Sequence, residues 1–419
     1  SFGNTQNRGA RIDGFSIVGA STGGAIAVNG YAQYLQIGNN RIVGNAGAFN
    51  GGIRVGHPQL ITQQGNTDLY TDAENDFIRI HHNHIARNGG RGGAGGGISL
   101  HTGADDYTVE QNWICGNFSS GSGGGIGHLG LVKDNTGQTS DGYGGVIKDN
   151  MILFNESFAQ AGPRSGGGIF IAGQTGRVAD NAGLLLSPGS GSVRVDSNVI
   201  RGNLAGAGDG GGIQLLSVNG DDATSNNTNS WHKVDLVNNM INNNVAGLAG
   251  GGIAMQDALR VTIQNNTVAH NETTATTALA FAPGAPNQSN PTPAGIVART
   301  HSTDLALELG LLFSDPAVIS DSIIEHNRSF FWLNFDDPAT PAIETGLFPA
   351  TCPVDPVTGQ PGTGTDCDVT AIGYDPAAHS ADLAVMDGPF TVDAVYELTA
   401  QFSLLTGDMV DTDFVNAYF

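Results

Sequence analysis

Two short motifs alternate along most of this chain, and their minimum spacing restricts the possible fold more than any other feature. The first is Asn-x-Ile-x-x-Asn. It occurs as Asn40-Ile42-Asn45, Asn83-Ile85-Asn88, Asn112-Ile114-Asn117, Asn150-Ile152-Asn155, Asn198-Ile200-Asn203 and Asn239-Ile241-Asn244. Asn266-Val268-Asn271 is a variant, and Asp13-Phe15 and Ser322-Ile324-Asn327 are degenerate end copies. The second motif is Gly-Gly-(Gly)-Ile, ending at Ile53, Ile98, Ile126, Ile169, Ile213 and Ile253, with Gly23-Gly24-Ala25-Ile26 and Gly295-Ile296 as outer versions. Successive first motifs lie 27 residues apart at their closest and up to 56 elsewhere. A fixed minimum with variable additions means one coil per repeat, with insertions at turns.

Within a coil, short period-2 runs are separated by Gly, Asn and Asp. Ile98-Ser99-Leu100, Tyr107–Glu110 and Trp113-Ile114-Cys115 read as strands. No segment of the repeat region has a helical period. The expected fold is therefore all-β: a right-handed parallel β-helix of about nine or more three-strand coils with loop insertions. Nine coils at about 4.8 Å each give a rod on the order of 45 Å long. The motif Ile should point inward and stack on itself. Asn should turn the corners, tolerate left-handed backbone and hydrogen-bond along the axis. The Gly run supplies a positive-φ bend with no Cβ to strike the next coil.

These motifs resemble the right-handed β-helix repeat proteins of the pectin-lyase-like fold. They are also similar to the repeats of polymorphic outer-membrane and autotransporter passenger proteins, where Gly-Gly-Ala-Ile recurs beside Phe-x-x-Asn. Gly23-Gly24-Ala25-Ile26 has that form, and the likeness covers roughly residues 10–333. It implies a bacterial, secreted or cell-surface protein, while the fold hosts lyases, hydrolases and adhesins alike.

The division expected is a β-helix over 1–333 and an irregular capping segment over 334–419, where the repeat disappears and Pro and Asp become frequent. A cap is needed because an open coil end exposes unpaired strand edges. Ser1 to Arg11 runs straight into repeat-like sequence, as in a mature form or a fragment of a longer chain. Cys352 and Cys367, in a Pro/Gly-rich stretch, read as a disulfide and hence an oxidising compartment. Cys115 falls in a run expected to be core.

Charge narrows the partners. Lys+Arg total 17 against 39 Asp+Glu, for a net charge of −22. Such a surface repels nucleic acid and offers nothing basic to anionic lipid. No stretch is apolar enough to span a bilayer. Extracellular polysaccharide or other surface proteins are the expected partners.

Chemistry is less legible. A lyase of this fold needs acidic Ca²⁺ ligands and a base, and a hydrolase needs carboxylates on adjacent strands. The best acidic cluster is Asp68, Asp72, Glu74 and Asp76, a candidate calcium site that Asp105-Asp106 would join if the two loops share a side. With three Lys in the chain, a lyase base would be an Arg, and Arg79 lies nearest on a predicted strand. His82 and His84 would share a face if their run is one strand, and the similar offsets of His101 and His128 predict a polar stripe. With aromatic content at 7%, no stacked carbohydrate platform is evident; Trp113, Trp231, Phe331 and Trp332 are the candidates. A non-catalytic surface solenoid for adhesion, sheath or extracellular assembly is the favoured expectation. A polysaccharide lyase, epimerase or hydrolase is the alternative.

Overall fold

A computed structural model of the protein describes residues 9–56, 61–64, 67–70, 72–135, 142–160, 162–176, 179, 183–225, 227–313, 318–336, 343–350, 383–386, 398 and 400–405. The chain winds as a parallel β-helix. Each coil visits four sheets in turn, designated I to IV, with nine, ten, nine and nine strands among the described residues. Sheet I runs from Arg11–Asp13 to Val318–Ser320, and sheet II from Ser16–Val18 to Leu404–Leu405. Sheet III holds two-residue strands from Ala46–Gly47 to Glu272–Thr273, then the longer Arg328–Asp336. Sheet IV runs from Ile26–Val28 to Leu383–Met386. The expected three strands per coil are thus four. Sheet III was not apparent in the sequence because a two-residue strand is too short to show alternation.

The corners explain the Asn motif. Between sheets I and II, and again between II and III, the chain turns at one left-handed residue followed by a motif Asn. His82, Asp149 and Phe154, at φ 53°, 56° and 52°, are such turn residues. The left-handed position is thus the one before each motif Asn, a correction to the expected role. The Asn side chain instead points along the axis. Asn40 through Asn266 form one ladder of Nδ2–H···Oδ1 bonds of 2.9–3.1 Å. Asn45 through Asn327 form a second at 2.9–3.0 Å. Each interior amide also donates to a carbonyl of the coil before, as Asn155 Nδ2 does to Ile114 O at 3.0 Å. Buried amides therefore find partners on both sides, as burial demands.

The Gly run serves two needs. Gly166 turns at φ +68°, while Gly167 lies so close to the next coil that a Cβ would come within 2.5 Å of the Leu204 carbonyl carbon. Behind it the motif Ile residues stack in register, Ile98 on Ile126, Ile169, Ile213, Ile253 and Ile296, all fully buried. Their burial meets the expectation. Rows of Ile and Val from sheets I and II complete one continuous core. Cys115 is only part-buried, facing out beside the buried Ile114, and is a free thiol.

Insertions gather where sheet IV passes to sheet I, and to a lesser degree between III and IV. One carries the helix α1, Thr303–Leu309, whose Leu305 packs with Leu186, Ala223 and Trp231. Beyond 333, Arg328–Asp336 pairs antiparallel with Ile343–Pro349. Leu383–Met386 then joins sheet IV, Gln401 bridges to Ser320 of sheet I, and Leu404–Leu405 joins sheet II. These segments follow the coil order, so they form one further partial coil without the Asn and Gly motifs. Cys352 and Cys367 lie outside the described residues. No helix among the described residues is long and apolar enough to cross a membrane.

Candidate functional site

The acidic loops meet at the edge of sheet I. Asp72 and Asp76 come from the loop before Arg79–His81, and Asp105 from the turn before Tyr107–Glu110 in the next coil. One carboxylate oxygen from each lies within 4.8 Å of the others. Stacking accounts for this: Arg79 and Thr108 are partners in register, and Asp76 and Asp105 each stand three residues earlier. Gln33, three residues before Gln36, fills the same slot one coil back and donates to Asp76 at 2.9 Å. Asp105 accepts from the Lys133 N–H at 2.8 Å, and Lys133 Nζ lies 3.5 Å from Asp72.

Burial, reinforced by Asp72 and Asp76, pushes the Asp105 carboxyl up to about 7. Burial also raises Asp76, with Asp72 and Glu74 adding repulsion. Three carboxyls this close suit an oxygen-ligated cation, and Asp105 is the member whose proton is held toward neutrality. The trio differs from the expected quartet. Glu74 is exposed and stands outside it, and the side chain of Asp68 lies outside the described residues. Asp105 is the member supplied by the neighbouring loop.

The outer face of sheet I carries charges in register. His81, Glu110, Lys148 and Asp196 follow one another along one row. Glu110 is held between Arg79, to which it is ion-paired, and Lys148 Nζ at 3.2 Å. Burial works to raise Glu110, but hydrogen bonds from Arg79 and Lys148 prevail and hold its carboxyl below the usual range. Arg79, the candidate base, is thus a paired cation. Arg194 pairs with Asp196 at 2.8 Å, and the Tyr143 hydroxyl donates to Asp235. This row was missed in the sequence because its members are 29 to 48 residues apart; only the coil register aligns them.

The histidines do not form the expected stripe. His82 is a corner residue and His84 opens the next strand, so the run is not one strand. Leu100 pairs with His128, and His101 with Leu129, which sets the two imidazoles on opposite sides of sheet IV. His101 faces out, 2.7 Å from the Ser99 hydroxyl. His128 takes a core position between Leu100 and Ile171. There its Nδ1 lies 2.8 Å from the Tyr107 hydroxyl, and its Nε2 lies 2.9 Å from both Gly130 O and Ser190 O.

Part of the outer face of sheet II carries an apolar row, preceded in register by Arg41 and His84. Trp113, Met151, Val199 and Met240 stack in register, followed by Thr267 and Ile323. Trp113 and Met240 are each 45% exposed, and Phe154, at the corner after Met151–Leu153, is 61% exposed. Phe118, on sheet III, and Phe158, in the turn after it, are exposed as well. The other aromatic candidates are structural: Trp231 covers an insertion, Phe331 is buried, and Trp332 packs edge-on to Phe281. In comparisons with known proteins, no family model, no curated protein and no solved structure matches this chain.

Proposed function

We propose that the protein is a secreted or cell-surface β-helix that binds partners in adhesion or extracellular assembly and performs no chemistry. The observation that carries this reading is the apolar row Trp113–Met151–Val199–Met240, laid in register on an exposed sheet of a chain with net charge −22. Exposed apolar strips of this kind are otherwise a solubility liability and mark interaction surfaces. The sheet I carboxylates support the same reading, since Glu110 and Asp196 are neutralised by paired cations rather than poised for proton transfer. The likeness of the Gly-Gly-Ala-Ile element to bacterial passenger-domain repeats favours a surface location, with polysaccharide or another surface protein as the partner.

A second reading, a polysaccharide lyase or hydrolase, draws on Asp105, a carboxyl held near neutral pKa beside two others as a general acid would be. One panel separates the two. The protein is incubated with uronic-acid and neutral polysaccharides, with and without Ca²⁺, and assayed for unsaturated products and reducing ends. The binding reading expects neither product. Turnover abolished by Asp105→Asn or Arg79→Ala, with folding intact, would establish the enzyme instead. Retention on immobilised surface polysaccharide, or on the protein itself, should fall in a Met151→Glu/Met240→Glu variant that melts normally. Undiminished retention would remove sheet II as the binding face.

A further inference from the structure

The turn from sheet III to sheet IV is long after Glu156–Ser157 and after Glu272–Thr273, and short in the two coils between them. One long turn carries Phe158 to Pro163, and the other carries the 3₁₀ helix Ala278–Ala280. Their parent strands, Glu156–Ser157 and Glu272–Thr273, are three coil steps apart. At about 4.8 Å per step the walls stand roughly 14 Å apart at their base. The result is an open cleft of about 450 Å³ with Gly206 and Ala207 at its base.

Its chemistry is specific. The walls offer Phe158 and Leu279 as apolar surfaces, 37% and 44% exposed. Gln160, Thr276 and Thr277 supply an amide and two hydroxyls. The Thr277 hydroxyl oxygen is buried and has no hydrogen-bond partner among the described residues. The next coil seats Phe158: a Cβ at Gly206 would come within 2.8 Å of its ring. Gly206 is not among the positive-φ glycines, so the ring's seat, not the backbone, calls for glycine there. No charged side chain among the described residues lines the cleft. An anion would find no cation there on a chain of net charge −22, and a cation would find no carboxylate.

We infer that this cleft is a binding subsite for neutral pyranose units of a glycan. A pyranose has an apolar face for Phe158, a rim of hydroxyls for Gln160, Thr276 and Thr277, and no charge. The cleft lies on the III–IV turn, away from both the acidic trio and the sheet II row, so the assignment stands independently of the function proposed above.

The test is titration of the full chain, by calorimetry and saturation-transfer NMR, with neutral oligosaccharides of glucose, mannose and N-acetylglucosamine, and with oligogalacturonate as the charged control. At least one neutral oligosaccharide should bind in the millimolar range or tighter, and oligogalacturonate should not. Phe158→Ala should weaken binding roughly tenfold. Thr277→Val, which keeps the volume and removes the hydroxyl, should weaken it several-fold. Leu279→Ala, at an exposed position, provides a variant whose fold is not at risk, and it should also weaken binding. Asn229→Ala, at an exposed position that does not line the cleft, should bind the oligosaccharide as the parent does. The inference fails if no neutral oligosaccharide binds, if oligogalacturonate binds equally, or if Phe158→Ala and Leu279→Ala leave affinity unchanged in folded protein.

Discussion

His128 is the residue whose setting departs most from its neighbours, an imidazole in a row of Leu100, Ile171 and Leu215. Burial pushes its pKa down to about 4, against the hydrogen bonds to Gly130 and Ser190. In the unfolded chain it titrates near 6.5. Between these values the unfolded state binds more protons, so stability falls as pH drops from about 6.5 to 4, by up to about 3 kcal/mol. Asp105 acts in the opposite sense. Its folded pKa of about 7 lies above the ordinary 3.8, so the folded state holds the extra proton and stability falls as pH rises through that window. Denaturant melts between about pH 4 and 7 should therefore tilt in opposite directions, relative to the parent, in two variants. Asp105→Asn should gain stability with rising pH, and His128→Leu should lose it. Equal pH slopes in both would refute these assignments.

The Asn ladders make a separate prediction at single residues. Asn155→Ala strands the Asn117 N–H, leaves the Asn117 amide with only its bond to Ile85 O, and takes a donor from the Asn203 oxygen and from Ile114 O. Each unsatisfied buried group costs about 1–3 kcal/mol. The midpoint of denaturation should therefore drop well beyond that of Asn229→Ala, a control at an exposed position outside both ladders. Similar midpoints would show that the rungs carry little of the stability.

Among the elements, the turn glycines and the stacked Ile rows respond differently to substitution. Gly167 is barred from carrying a Cβ by the Leu204 and Gly211 backbone of the next coil, not by its own φ. Gly167→Ala should therefore push two coils apart and lower the melting temperature sharply. Gly116, at φ +62° with open space around it, should lose stability only through backbone strain when changed to Ala. Comparable losses in the two would contradict the close-approach account. Ile126, fully buried between Ile98 and Ile169, should cost roughly 2–5 kcal/mol as Ile126→Ala, read by chemical denaturation. The strands themselves were legible where they alternate: Ile98–His101, Tyr107–Glu110 and Trp113–Cys115 match the runs read from sequence. Phe118–Ser119 was not, because a two-residue strand has no period and is recognisable only by its pairing with Gly89–Gly90 and Glu156–Ser157.

At the scale of the whole molecule, an unpaired strand edge of a solenoid invites pairing with another chain. Here Leu383–Met386 covers the edge of Ile296–Arg299, and Leu404–Leu405 covers Ile323–Glu325. A chain truncated before residue 383 would present both edges to solvent. It should associate at concentrations where the full chain does not, with the difference read by sedimentation velocity. Unchanged sedimentation would mean that these strands do not protect the end.

The coil and its repeat are written in the primary structure alone. The motif Ile, Asn and Gly residues recur because every coil must offer the same buried row, the same ladder rung and the same close approach to its neighbour. Those demands are local and periodic, so their signature is local and periodic too. The partial coil that includes Leu383–Met386 and Leu404–Leu405 escaped because it lacks the Asn and Gly signature. The sites arise from stacking. Asp76 and Asp105, Glu110 and Lys148, and Trp113 and Met151 meet because insertions of different length are taken up at turns while the strands stay in register. The walls of the cleft at Phe158 and Leu279 face each other for the same reason. Sequence separation carries no information about such neighbours; only the register of the coils, a property of the folded solenoid, brings them together.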